Sequence, residues 1–375
     1  MDRSTLLEWL RLIRTPGLGP VRISRLLRHF GGAQALLEAP EQAWEQVPGI
    51  HLPFLQKVLH LRREMPAAPI RQELDRLQAM DGHLLVLGDA GYPRLLREIY
   101  DPPPALFVLG DPAHLLRDNA VALVGSRQAS PSGGHFTHRL AMDLARHGLV
   151  TVSGLAEGID TAAHWGALEG QGVTVAVLAT GLDVSYPARN AALRRRIVAQ
   201  GCLVTEAPLG TPPAAYLFPP RNRIISGLCR GVVVVEAAMR SGSLVTARLA
   251  LEQGREVFAV PAQVGDVRYQ GSNHLLRQGA TYLEGVGDIL QAFAWDARPP
   301  ANRSPPRAAA VDTPVAVGTE AAAVHAMLRQ GPVQGDELAR RCHLTVTELS
   351  RILLQLELVG VVQRLPGNRF ALRHT

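Results

Sequence analysis

Between residues 82 and 293, short apolar runs rich in β-branched residues recur between helical stretches, and this alternation limits the fold more than any other feature of the chain. The runs fall at 121–124, 149–153, 173–178, 203–205, 232–236 and 257–260; helical segments at 136–146, 161–168, 191–199 and 243–253 separate them. Within each run the hydrophobic residues are continuous rather than alternating. A strand of that kind is buried on both faces, so the pattern predicts a parallel sheet covered by helices on either side. Further candidate strands at 84–87 and 105–109 make the sheet larger than a minimal nucleotide-binding fold.

The flanking regions read differently. Residues 1–75 form a helical domain with amphipathic helices at 5–14 and 21–30. Between these helices lies Thr15-Pro16-Gly17-Leu18-Gly19-Pro20. A helix rather than a strand precedes this G-x-G, which argues against a dinucleotide fingerprint. Two readings stay open: a helix-hairpin-helix offering backbone N–H groups to a phosphate, or a helical hairpin whose glycines permit close packing. Residues 294–318 are rich in Pro and Ala and read as a linker. Residues 319–375 carry helices at 324–328, 337–341 and 346–358, a strand around 360–364 and a turn at 366–368, the layout of a winged helix. Thr345 and Glu348 predict a capping box at its longest helix. Glu348 and Glu357 against Arg351 suit protein docking better than a DNA groove.

Composition excludes several classes. The chain has 375 residues with a net charge of +6, and Lys57 is its single lysine among 39 basic residues. Lys57 lies far from any G-x-x-x-x-G-K-[ST], which rules out a P-loop NTPase; a Schiff-base lysine elsewhere is excluded too. Cys202, Cys229 and Cys342 are scattered and odd in number, as expected in a reducing compartment. Glu8 and Arg11 interrupt the apolar start, so no signal peptide is expected, and no run is long enough to span a membrane. A cytoplasmic location follows as an expectation. His135 and His138 lack further ligands, so no metal is expected, and no cofactor.

In an open α/β sheet, ligands bind beyond the carboxyl ends of the strands. There the sequence places Gly125-Ser126-Arg127, Ser153-Gly154-Leu155-Ala156-Glu157-Gly158-Ile159-Asp160, Tyr186-Pro187-Ala188-Arg189-Asn190, Phe218-Pro219-Pro220-Arg221-Asn222-Arg223 and Ser241-Gly242-Ser243. Small residues let the backbone approach an oxyanion, hydroxyls donate, and arginines add charge and bidentate geometry. Residues 119–230 hold ten arginines against six acidic residues. Phe218, read as part of a loop between arginines, reads either as a base-stacking residue for single-stranded nucleic acid or as a core anchor. Asp160 and His164, four apart on one helix face, read as an acid–base pair or as an Asp bonded to backbone N–H groups with a separate His. Arg194-Arg195-Arg196 reads as a solvated face or a phosphate contact.

Residues 119–282 resemble the DNA processing protein A family. The matching elements are GSR at 125–127, SGLAEGID at 153–160 with His164, GLDVSYPARN at 181–190, TEAP at 205–208, FPPRNRIISGL at 218–228, VVVVEA at 232–237, SGSLVTA at 241–247 and GSNHLLRQGA at 271–280. The resemblance extends to the helical N-terminal region, SAM-like or helix-hairpin-helix, and to the winged-helix tail. It implies an extended Rossmann-like sheet and a cytoplasmic, non-enzymatic homodimer that binds single-stranded DNA in natural transformation. Such a protein protects the incoming strand, displaces single-strand-binding protein and helps load RecA recombinase during DNA recombination. Carried over by motif, the DNA-binding residues are Gly125, Ser126, Arg127, Arg189, Asn190, Phe218, Arg221, Asn222 and Arg223. Departures are Glu157, where arginine is frequent, and Thr180 and Ala262, where glycine is usual.

Two other functions compete. A nucleotide-processing enzyme resembling nucleoside monophosphate hydrolases needs a glutamate soon after its Gly-rich turn, yet Ala247, Arg248 and Leu249 follow 241–246. A transcription regulator acting through the winged helix needs a more basic tail.

Overall fold

The computed structural model describes residues 2–48, 52–262 and 265–295, together with parts of 323–372. The chain divides into two compact units, Met1–Ala301 and Asn302–Thr375. The linker expected at 294–318 lies outside the described residues from 296 onward.

The first unit is built on a nine-stranded sheet in the order β1-β2-β6-β5-β4-β3-β7-β8-β9. The strands are β1 (Gly82–Val86), β2 (Ala105–Gly110), β3 (Ala120–Val124), β4 (Val150–Ser153), β5 (Thr174–Val177), β6 (Cys202–Thr205), β7 (Gly231–Val234), β8 (Glu256–Ala259) and β9 (Thr281–Tyr282). Strands β3 to β9 run parallel. The expectation of a parallel sheet needs one correction: β2 pairs antiparallel with both β6 and β1. Strand direction leaves no trace in a hydrophobic run, which reports burial alone.

Burial explains the continuous apolar runs. Val121 and Leu123 of β3 face one cluster with Leu140, Leu144, Ile159 and Ala163, from α8 (Pro131–Arg146) and α9 (Ile159–Glu169). Ala120, Ala122 and Val124 face the other side, against Ile224 and Ile225 of α11 (Phe218–Gly227) and Ala247 and Ala250 of α12 (Gly242–Glu252). Successive strand residues point to opposite faces, so a strand covered by helices on both sides admits no polar alternation.

The N-terminal helices α1 (Arg3–Ile13), α2 (Pro20–Phe30), α3 (Ala33–Glu38), α4 (Glu41–Trp44), α5 (Leu52–Glu64) and α6 (Ala67–Ala79) share a core with the sheet. Trp9 of α1 is fully buried and donates its indole N–H to the Pro104 carbonyl at 3.1 Å. Leu10 packs with Phe107 of β2, and Glu73 of α6 accepts from the Leu209 N–H at 2.8 Å.

The remaining helices of this unit are α7 (Arg94–Arg97), α10 (Ala191–Gln200), α13 (Gln270–Arg277) and α14 (Val286–Ala292).

In the second unit, β10 (Val333–Gln334), β11 (Val362–Leu365) and β12 (Arg369–Leu372) form an antiparallel sheet in the order β10-β12-β11. It belongs to a small core with Leu338, Leu349, Ile352 and Phe370. The capping box forms as expected: Thr345 N–H donates to Glu348 Oε2 at 2.9 Å and Glu348 N–H to Thr345 Oγ1 at 3.3 Å. The turn expected at 366–368 lies outside the described residues.

Candidate nucleic-acid interface

From β3 the chain moves outward through β4, β5 and β6, then returns to the other side of β3 as β7. Strand order reverses there, and the loops after β3 and β7 diverge to leave a crevice, the usual ligand position in an open α/β sheet. In this crevice lies a cleft of about 420 Å³, lined among others by Gly125, Ser126, Arg127, Phe218, Arg221 and Asn222. A second pocket of about 240 Å³ adjoins it, sharing Arg127, Ala156, Phe218 and Arg221.

The first loop is held in shape by the second. The Ile159 N–H donates to the Ser126 carbonyl at 3.1 Å, and Ser126 Oγ accepts from the Gln128 N–H at 3.1 Å. Gly158 lies against this loop with φ +80°; a Cβ there runs into the Ser126 carbonyl oxygen and comes within 2.6 Å of that of Arg127. Arg127 reaches outward, and among the described residues no carboxylate pairs with it.

The segment 218–223, expected as a loop, is instead the start of α11, with Pro219 and Pro220 in its first turn. Proline is tolerated there because the first helical N–H groups lack intrahelical acceptors anyway. The prolines remove N–H donors from this helix end, so what it offers to the cleft is side chains. The guanidinium carbons of Arg127 and Arg221 lie 5.2 and 5.8 Å from the Phe218 ring centroid. Tyr186 packs on the same ring, centroids 6.0 Å apart.

Arg221 is buried and donates to the carbonyls of Gly154, at 2.8 Å, and Val177. Burial pushes its pKa down to about 10; Asp160 opposes that shift and Arg127 adds to it. It therefore stays cationic at neutral pH, in a low-dielectric site where its charge is felt strongly. Asn222 accepts from Arg221 Nε at 3.2 Å, and its amide reaches the Gly242 carbonyl at 3.4 Å.

Two helix ends at this rim differ. At α8, the buried Glu236 carboxylate accepts from the Ser130 N–H at 2.9 Å, while Ser130 Oγ accepts from Gly133 N–H. That end is filled. The α12 end faces the cleft with Ser241, Gly242 and Ser243, capped by the Ser241 hydroxyl. Backbone N–H groups and the helix dipole there favour an anion.

Other expected site residues are placed elsewhere. Arg223 is 6% exposed and turned away: its guanidinium grips the Glu206 carboxylate at 2.6 and 2.7 Å and the Asp101 carbonyl at 3.0 Å. Burial opposes its charge, but the Glu206 hydrogen bonds outweigh this and hold its pKa above the ordinary arginine value. Asn190 is buried, donating to the Leu155 carbonyl at 3.0 Å and to Thr161 Oγ1 at 2.9 Å. It braces the second loop and does not line the cleft. Arg189 is 84% exposed, lies 3.6 Å from Glu157 and lines neither pocket.

Asp160 and His164 do not pair. Asp160 accepts from the Gly154 and Ala156 N–H groups at 3.1 and 3.2 Å, and His164 Nδ1 bonds Thr174 Oγ1 at 2.7 Å. Burial raises the Asp160 pKa against the pull of Arg221. Arg194 turns to the carbonyls of Leu182 and Val184. Tyr186, placed on the rim by its loop but not among the expected contacts, lines the smaller pocket, and Arg240, which directly precedes the Ser241-Gly242-Ser243 rim loop, lines the cleft. Among the described residues no group of three His, Cys, Asp or Glu is arranged to hold a metal, and no helix is long and apolar enough to cross a membrane.

A mostly parallel sheet with a cleft lined by arginines at its switch point defines a Rossmann-like fold. The family described as DNA recombination-mediator protein A matches residues 83–294, the DprA winged helix domain 299–368 and the DprA-like N-terminal HHH domain 3–47; the chain belongs to this family. Protein Smf of Escherichia coli K12 is 39% identical, over 97% of this chain and 95% of its own. DNA processing protein DprA of Streptococcus pneumoniae is 47% identical over 55% of this chain and 72% of its own. The X-ray structure of DprA from Streptococcus pneumoniae superposes with a TM-score of 0.67 at 35% identity, covering 78% of this chain and 98% of that one. A Helicobacter pylori DNA processing protein A structure, described for its single-stranded DNA binding mode, gives 0.52 at 29% identity over 57% and 96%.

Proposed function

We propose that the chain binds single-stranded DNA in this cleft. Phosphates lie against Ser126, Arg127 and the start of α12, and bases stack on Phe218. The observation that carries the reading is the convergence of Arg127 and Arg221 on one partly exposed aromatic ring beside the N-terminus of α12. Stacking rings next to backbone-tracking cations grip single strands with little regard to sequence. The Helicobacter pylori relative supports it. The role is binding rather than catalysis, since Asp160 and His164 are each engaged by loop and strand groups.

In the cell, the reading places the protein in the cytoplasm during natural transformation. There it protects incoming strands, displaces single-strand-binding protein and loads RecA, working as a homodimer. Fluorescence anisotropy of a labelled single strand tests the site. Arg127→Ala is expected to weaken binding about tenfold or more, from loss of a charge-assisted contact, and Phe218→Ala about fivefold or more. Unlabelled duplex should compete poorly. Binding indifferent to both substitutions moves the DNA elsewhere. RecA assembly on strands covered by single-strand-binding protein, accelerated by wild type but not by Arg127→Ala, checks the loading role.

A further inference from the structure

We infer that the bound strand continues past the cleft onto the surface shared by α9 and α10, where a base stacks on Trp165 and the flanking phosphates meet Arg189, Arg195 and Arg196. The inference rests on the proposed binding of single strands in the cleft.

The two helices lead away from the rim. Each follows a rim loop, and α10 packs against α9. Asn190 ties their starts together by donating to Thr161 Oγ1 at 2.9 Å. Pro187 lines the smaller pocket and Arg189 stands two residues further on, so a strand leaving that pocket meets this cation first. Its ion pair with Glu157 spans 3.6 Å between exposed side chains, and pairs of that kind contribute too little to hold it from a phosphate. Helices rise 1.5 Å per residue, which sets Trp165 and Arg196 about 8–9 Å down from the helix starts at the rim. That distance is within reach of the next nucleotides of an extended strand.

The arginine triplet of α10 divides. Arg194 is engaged by the carbonyls of Leu182 and Val184. Arg195 and Arg196 are exposed, and among the described residues no carboxylate pairs with either. The whole of α10 carries no acidic residue, whereas a helix face kept only for solubility interleaves both signs. Beside Arg196 lies Trp165, with 5.8 Å from guanidinium carbon to ring centroid. The indole packs on the cluster that holds Leu168, Leu193 and Ile197, yet it is only partly buried. An anchored, incompletely covered ring beside an unpaired arginine repeats the arrangement of Phe218 with Arg127 in the cleft. Rings that stack bases while cations track the backbone grip a strand whatever its sequence. At an exposed site the contact between Arg196 and the indole is weak, so the guanidinium can turn to a phosphate as a base takes its place.

The test compares labelled oligothymidines of about 5 and about 15 nucleotides, the shorter filling the cleft alone. Anisotropy and tryptophan emission are the readouts. Arg196→Glu and Trp165→Leu should each weaken the longer strand about fivefold or more and leave the shorter within about twofold. In the wild type the longer strand should quench Trp165 emission, taken as the difference from Trp165→Leu, and the shorter should not. Arg196→Ala should reduce the salt slope of the longer strand by about 0.7. Arg127→Ala should weaken both lengths. Arg196 is exposed, so its variants keep the fold even where Trp165→Leu loses stability. Binding and emission of the longer strand untouched by the helix variants, with Arg127→Ala still weakening both lengths, overturns the extension and keeps the cleft. Loss confined to the helix variants, with Arg127→Ala silent, upholds the helix surface and overturns the cleft. Unchanged strand binding with RecA assembly slowed by Arg196→Glu assigns the surface to a protein and overturns the inference.

Discussion

His164 is fully buried, and the Thr174 hydroxyl that it meets gives its own proton to the Thr151 carbonyl at 2.9 Å. Nδ1 therefore carries the ring proton and the histidine is neutral. Burial, helped by the nearby Arg221 charge, pushes its pKa down to about 3. The unfolded chain protonates this histidine near the ordinary value of about 6.5, so between those values the unfolded state binds more protons and stability falls as pH falls. Urea denaturation at pH 7 and pH 5 should show about 2 kcal/mol lost through this residue. His164→Gln should lack that component. Asp160, its pKa raised by burial, contributes with the opposite sign in the acid range and remains in the variant. The residue scale also shows where sequence reasoning stopped. Arg221 and Arg223 look equivalent in a loop, but residues two apart on a helix point roughly 200° apart. One faces the cleft and the other Glu206. Arg127 was legible because its motif follows a strand, and Phe218 and Arg221 because an aromatic ring stands beside arginines just ahead of β7. Arg240 was passed over although it directly precedes Ser241-Gly242-Ser243, a loop the sequence already placed on this rim.

Elements hold the site through their loops. The β4–α9 loop seats against the β3–α8 loop, with Gly158 as the point of contact. Gly158→Ala should cost about 1–3 kcal/mol in urea denaturation, because an alanine is strained at this φ and its methyl displaces the Ser126 and Arg127 carbonyls. The same variant should weaken single-strand binding. Gly134→Ala is the control: a methyl at this position of α8 meets no atom within 4 Å. It should leave binding intact and raise stability by about 0.5–1 kcal/mol. The strands of this layer were readable because two-sided burial writes itself as uninterrupted apolar residues. The helical nature of 218–223 was hidden by two prolines, which mark a loop as readily as a first helical turn. β9 has two residues, too few for any period to register.

At the scale of the whole molecule, the nine-stranded sheet lines up its loops so that Arg127, Arg221 and Arg240 face one cleft. If each neutralises one phosphate, the logarithm of affinity should fall against the logarithm of salt with a slope of about −2. A salt titration of strand binding checks this, and Arg127→Ala should reduce the slope by about 0.7. Glu236 gives the sheet a further consequence. Its carboxylate occupies the end of α8, the helix that follows the first parallel strand, where dinucleotide enzymes of this architecture seat a pyrophosphate. The chain has filled that seat from within. A strand can gather many weak phosphate contacts along the rim, whereas a lone dinucleotide finds its customary anchor taken. If strands bind at this rim as proposed, redox dinucleotides should not compete with them for the end of α8.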